Sequence, residues 1–273
     1  MSFILNTVDL TYYGIQAGHA NGSNIALDGC FNLPPRIGKI FHNWGDVNGI
    51  EPYVEPEEIQ FAGRDIRFYG FILGTPQAQR DKIALLYSAI NAFTSLVSFV
   101  TPYGTFNIYV KSVTERRVPG GCFIEILFRE PIVDFTGTLK NVGLNANMID
   151  GVPMESYGLY YSSGDGLRSI PNMKEARFSR YGTEGYQITK REPDIITFNG
   201  FLIATSLGSF IENIQSLYRL FVESGLRTFI LSTNINIAGF LANGFIVSSI
   251  KLYNNLVTAE FECKITCTSI TTP

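Results

Sequence analysis

The sequence predicts an α+β protein, mainly β, made of two tandem copies of one β-sandwich or open-barrel module, each flanked by a single α-helix. Three observations predict it: internal matches that keep their order along the chain, one apolar helical stripe in each half, and strict period-two alternation in the strands that follow.

The matches come first. Phe68-Tyr69-Gly70-Phe71-Ile72-Leu73-Gly74-Thr75 aligns with Phe198-Asn199-Gly200-Phe201-Leu202-Ile203-Ala204-Thr205 at a shift of 130. Upstream, Leu33-Pro34 matches Ile170-Pro171 and Trp44-Gly45 resembles Tyr181-Gly182, both at a shift of 137. Earlier still, Tyr12-Tyr13-Gly14-Ile15 resembles Ser156-Tyr157-Gly158-Leu159 at a shift of 144. The drift places two modest insertions in the first copy, which surface loops accommodate at small entropic cost.

Each shared Gly-Phe segment is followed by a helix. In the first copy Thr75 is a candidate cap and Pro76 suits the first helical position, with Ile83, Leu86, Ile90 and Phe93 on one face. In the second, Ser206 or Ser209 is the cap, Phe210, Ile214, Leu217 and Phe221 form the stripe, and Gly225 is the expected stop. These stripes have the spacing a helix needs to pack on a sheet. The strands come next. Val257, Ala259, Phe261, Cys263 and Ile265 share one face after the turn signal Asn254-Asn255; Cys122, Ile124, Ile126 and Phe128 do so after Pro119-Gly120-Gly121. Residues 137–145 lack clear periodicity, so the expected division is copy one at 1–136, a linker at 137–145 and copy two at 146–273.

Composition narrows the function. Charged residues make up only 16%, against 21 Phe and 14 Tyr, a balance suited to half-buried strands or to surface covered by partner subunits. A net charge of −3 with no Lys/Arg run argues against nucleic-acid binding. Met1 to Thr7 lacks the basic start and apolar centre of a secretion leader, and no apolar stretch reaches transmembrane length, so no membrane insertion is expected. Cys30, Cys122, Cys263 and Cys267 have no metal-type spacing. On a strand, Cys263 and Cys267 would lie about 13 Å apart, too far for a disulfide. Reduced thiols and assembly in a cytosol follow.

With these residues in view, the chain resembles the distal tail protein family of long-tailed phages, best over Ile59 to Phe135. The family's tail-tube-like module has a Gly-Arg-x-Ile strand, a Gly-Phe-Ile segment, an amphipathic helix and strands closing near an acidic-Pro pair. Here these are Gly63-Arg64-Asp65-Ile66, Gly70-Phe71-Ile72, the helix from Pro76, and Phe128-Arg129-Glu130-Pro131. Copy two keeps Gly200-Phe201-Leu202 and the helix but has no Gly-Arg pair and no closing Pro. The resemblance implies a structural ring at the tip of a virion tail, assembled in the host cytoplasm. That ring would join the tail tube to baseplate hub and fibre proteins, with a central channel that DNA crosses without tight binding. It also implies that single-module relatives close six modules into a ring, which two linked modules fill with three chains. The alternative is six chains with copy two outside the ring. A tail-tube protein with two tube domains is a related reading.

No residue is assigned a catalytic, cofactor-binding or metal-binding role. His42 beside Asp46 is the only candidate general base, but copy two has Ser179 at the matching place and there is no G-x-S-x-G elbow, so an enzyme is not expected. Glu51, Glu55, Glu57 and Glu58 lack EF-hand spacing and read as an exposed acidic loop. Trp44, Tyr53, Tyr103 and Tyr157 to Tyr161 are candidates for interface anchors or, in the rival reading of a carbohydrate-binding accessory protein, for a sugar platform.

Overall fold

The computed structural model describes residues 2–44, 47–165, 171–180, 183–231 and 235–271. The first module opens with a hairpin of Ile4–Leu5 (β1) and Val8–Asp9 (β2), turned by Asn6 and Thr7 at positive φ. A 3-10 turn over Leu10–Tyr13 leads to Ile15–Ala17 (β3) and Leu27–Asp28 (β4). An arm follows, of Arg36–Ile37 (β5), Phe41–His42 (β6), Glu51–Pro52 (β7) and Gln60–Phe61 (β8). The body is completed by Arg64–Leu73 (β9), the helix Pro76–Asn91 (α1), Val97–Thr101 (β10), Gly104–Val118 (β11) and Gly121–Glu130 (β12). Its antiparallel sheet runs β2-β1-β10-β11-β12-β9-β3, with β4 also on β9. The ladder shifts between Val110 and Ser112 of β11, the kind of irregularity that bends a strand.

The second module repeats the plan: Met148–Ile149 (β13), Val152–Pro153 (β14), a 3-10 turn at Met154–Tyr157, then Leu159–Asp165 (β15). Its arm is the hairpin Met173–Arg180 (β16) and Thr183–Arg191 (β17). Ile195–Ala204 (β18), the helix Leu207–Val222 (α2), Arg227–Ile230 (β19), Asn236–Tyr253 (β20) and Leu256–Thr271 (β21) follow. The sheet order is β14-β13-β19-β20-β21-β18-β15, strand for strand that of the first module. The mainly β, α+β class predicted from sequence is the class observed.

The agreement extends to register. Ile15 faces Ile72 and Leu159 faces Leu202, so the shifts of 144 and 130 hold in one ladder. Cys122 faces Ile72 and Ala259 faces Leu202, a shift of 137 for the closing strand. Gly14 and Gly158 end the two 3-10 turns at φ 70° and 71°, a left-handed conformation that costs glycine little. The extra residues of copy one have a visible place. The chain leaves β9 after β3 and returns as β4, whereas β15 stays paired along β18 through a single register shift.

The helices differ in depth. Thr75 caps α1, accepting a bond from Ala78 N, and Ser206 caps α2 in a box with Ser209. Helix α2 ends at Val222, and Gly225 lies past an extended cap at Glu223. Phe210, Ile214, Leu217 and Phe221 are buried as predicted, as are Ile83 and Leu86. Ile90 and Phe93, expected in the core, are only half-buried, packing against its margin. Residues 131–147 carry neither helix nor strand.

The four cysteines are unpaired and buried. Burial pushes the Cys30, Cys263 and Cys267 thiols up to about 12. Since the thiolate is the reactive form, iodoacetamide at pH 8 should leave these three unmodified in the native protein and label them after urea unfolding. Rapid native labelling of any of them, read by mass spectrometry, would show that its strand opens readily.

Candidate interaction surface

The most elaborate polar arrangement among the described residues lies where the two modules meet. Arg64, at the start of β9, is buried, as is Glu130 at the end of β12. Arg64 Nε donates to Glu130 Oε2 at 2.6 Å, and Nη1 donates to the Tyr218 hydroxyl of α2 at 2.9 Å and to Asn32 O at 3.3 Å. Its guanidinium carbon lies 5.4 Å from the Phe106 ring centroid and 5.8 Å from that of Tyr218. Burial opposes the charge, but Tyr218 and Glu130 hold the Arg64 pKa above its ordinary value. Gly63 is needed beside this pair, since a Cβ there would collide with Glu130 O and come within 2.7 Å of Pro131 Cα. The Gly-Arg and Glu-Pro parts of the sequence pattern are thus two sides of one buried joint.

Around this joint module one lies on α2 and β20. Phe31 meets Phe210 edge-on at 5.1 Å, and Phe135 meets Tyr218 at 6.2 Å. Leu33 and Phe245 exchange both backbone hydrogen bonds, so module one adds to the edge of β20 as a strand would. Asn24 N donates to Ile250 O, Asn24 Oδ1 accepts from Leu252 N, and Asn32 Oδ1 accepts from Val247 N. The arms meet as well. Lys174 Nζ donates to Trp44 O, Val47 O and Gly49 O at 2.6–2.9 Å, and Arg36 stacks over Phe240. Sequence reasoning missed this surface, because its cross-module partners, such as Arg64 and Tyr218 or Trp44 and Lys174, are far apart in the chain and no local pattern names both.

The residues weighed for chemistry do not converge. His42 is exposed, its ring 3.9 Å from that of Trp44, while Asp46 and the matched pair Tyr181-Gly182 lie outside the described residues. Trp44 Nε1 donates to Glu51, and Glu58 accepts from the backbone of Glu55, so these acids serve local bonds. No cluster of metal-ligating side chains occurs among the described residues. The aromatic set is dispersed. Tyr103 and Tyr157 are buried in the two cores, Tyr161 packs on Phe198, and only Trp44 and Tyr160 are substantially exposed. Tyr103 and Tyr157 are therefore packing residues, removed from any surface platform by burial that also raises their hydroxyl pKa to about 12.

No family model matches the chain. No curated protein matches it either. Among solved structures it has a low likeness to the Dit (gp 19.1) protein of phage SPP1, described as a paradigm of the hub adsorption apparatus in phages infecting Gram-positive bacteria. The TM-score is 0.38 at 12% identity, over 96% of this chain and 98% of that one. No helix among the described residues is long and apolar enough to cross a membrane.

Proposed function

We propose that this chain is a structural ring subunit of a phage or phage-derived tail tip, working by assembly rather than turnover. In this reading it joins the tail tube to the hub and receptor-binding parts and leaves a central channel for DNA. The observation that carries the reading is the joint between modules. Two modules of one topology meet through different surfaces, the arm side of module one against the α2 and β20 side of module two. A heterologous contact of this kind generates a closed ring when the rotation per module closes. The sequence resemblance agrees with it, since Arg64 of the Gly63-Arg64 pair, held by Glu130, is the residue that reaches Tyr218 across the joint.

The modules at 1–136 and 146–273 are read as products of duplication, and the ring as three chains with pseudo-six-fold symmetry. Mass photometry of the purified full chain tests this, each chain being 30.3 kDa. Three chains per particle are expected. Six chains would place copy two outside the ring, and glycan binding by a chain that never self-associates would overturn the reading in favour of a carbohydrate-binding protein.

A further inference from the structure

We infer that the open side of module one, formed by the free edge of β11 and the outer side of α1, is a docking surface for a second copy of this chain. The arm of the second copy's module two, β16–β17, seats there as the arm of module one seats on β20. The inference rests on the ring reading and adds to it the surface and its occupant.

The two helices correspond at a shift of 131, with Ile83 and Leu86 matching Ile214 and Leu217 in the cores. On α2, Tyr218 is covered by Arg64 and Phe135, and Ser216 and Leu220 are buried as well. Their counterparts Leu85, Tyr87 and Ala89 are not: Leu85 is 46% exposed and the others are half-buried. The same contrast holds for the strands. Beyond its pairing with β19, β20 receives Leu33 at Phe245 and Asn24 at Ile250. Beyond Ile108, where its pairing with β10 ends, β11 receives no strand on that side among the described residues.

Register identifies the open backbone groups. Phe245 faces Cys263, which faces Phe198; Val113 faces Ile126, which faces Phe68. Val113 therefore holds the place of Phe245, with its N–H and C=O directed away from β12 as those of Phe245 are directed to Leu33.

The occupant is fixed by the same repetition. In the arm of module one, Arg36 faces Phe61 and Ile37 faces Gln60; in that of module two, Met173 faces Arg191 and Lys174 faces Lys190. These pairs keep the shifts of 137 and 130. The arm is thus the part of the contact that each chain carries twice, seated once internally with Arg36 over Phe240; Arg64 is matched by Asp194, and Ile170, the counterpart of Leu33, lies outside the described residues.

The test uses the full-length chain with Leu85→Glu or Val113→Pro, analysed by sedimentation over a concentration series and by circular-dichroism melting. Leu85 is exposed in the single chain, and Val113 has no N–H bond to β12 to lose, so melting should be nearly unchanged. Self-association should weaken by about tenfold or more in each, the loss typical of an interface anchor. A wild-type particle whose mass and concentration dependence survive both substitutions overturns this surface and leaves the ring reading standing. A wild-type chain that stays single at every concentration overturns both. If Val113→Pro melts early, Leu85→Glu decides alone.

Discussion

Replacing Arg64 with Ala is expected to lower the free energy of unfolding by about 3–5 kcal/mol, the usual cost of leaving one member of a buried ion pair without its partner. The charge at risk is that of Glu130, which is 5% exposed and whose carboxylate is already disfavoured by burial, with Arg64 opposing that effect. The substitution also removes the donor to Tyr218 and so loosens α2 from module one. Urea denaturation followed by tryptophan and tyrosine fluorescence measures the loss. The double variant Arg64→Met with Glu130→Leu should recover most of it, because no charge is then buried alone. A loss below about 1 kcal/mol for Arg64→Ala would mean that water reaches Glu130 and that the joint is weaker than its geometry suggests.

The second large effect contrasts two matched positions. Phe221 on α2 is buried, 6.1 Å from the Phe245 ring, and Phe221→Ala should cost about 3–5 kcal/mol. Ile90 holds the same place on α1 but is half-buried, so Ile90→Ala should cost roughly 1–2 kcal/mol in the single chain. Chemical denaturation of both variants at a concentration where the protein is monomeric makes the comparison. The reverse order would show that α1, not α2, is the better anchored helix.

These two positions also show how far the sequence could be read. The apolar stripe of each helix and the alternation of Cys122 to Phe128 and Val257 to Ile265 placed the inner faces correctly, because a helix or strand packed on one side writes its own period. The shifts of 144 and 130 were readable because the backbone register matches them even where the side chains differ. What surrounds an element leaves no period. Ile90 and Phe221 look alike in sequence, and only tertiary structure shows that α2 is covered on two sides and α1 on one. Tyr103 and Tyr157 were misread as candidate surface aromatics for the same reason: both are buried, and Tyr103 packs against Phe3 and Phe31, far from it in sequence. The bond between Arg64 and Tyr218 spans 154 residues, so a local pattern could signal its Gly-Arg half without naming the partner.

The segment 131–147 has a kinetic consequence. Two modules tethered through so short a connection meet at an effective concentration on the order of millimolar, whatever the abundance of the chain. In a ring of three chains, each polypeptide would then form one joint as it folds, three of the six in all, leaving three to form by collision. Nucleation would scale with a lower power of chain concentration than for six free modules, and a particle could not be left with an odd number of modules.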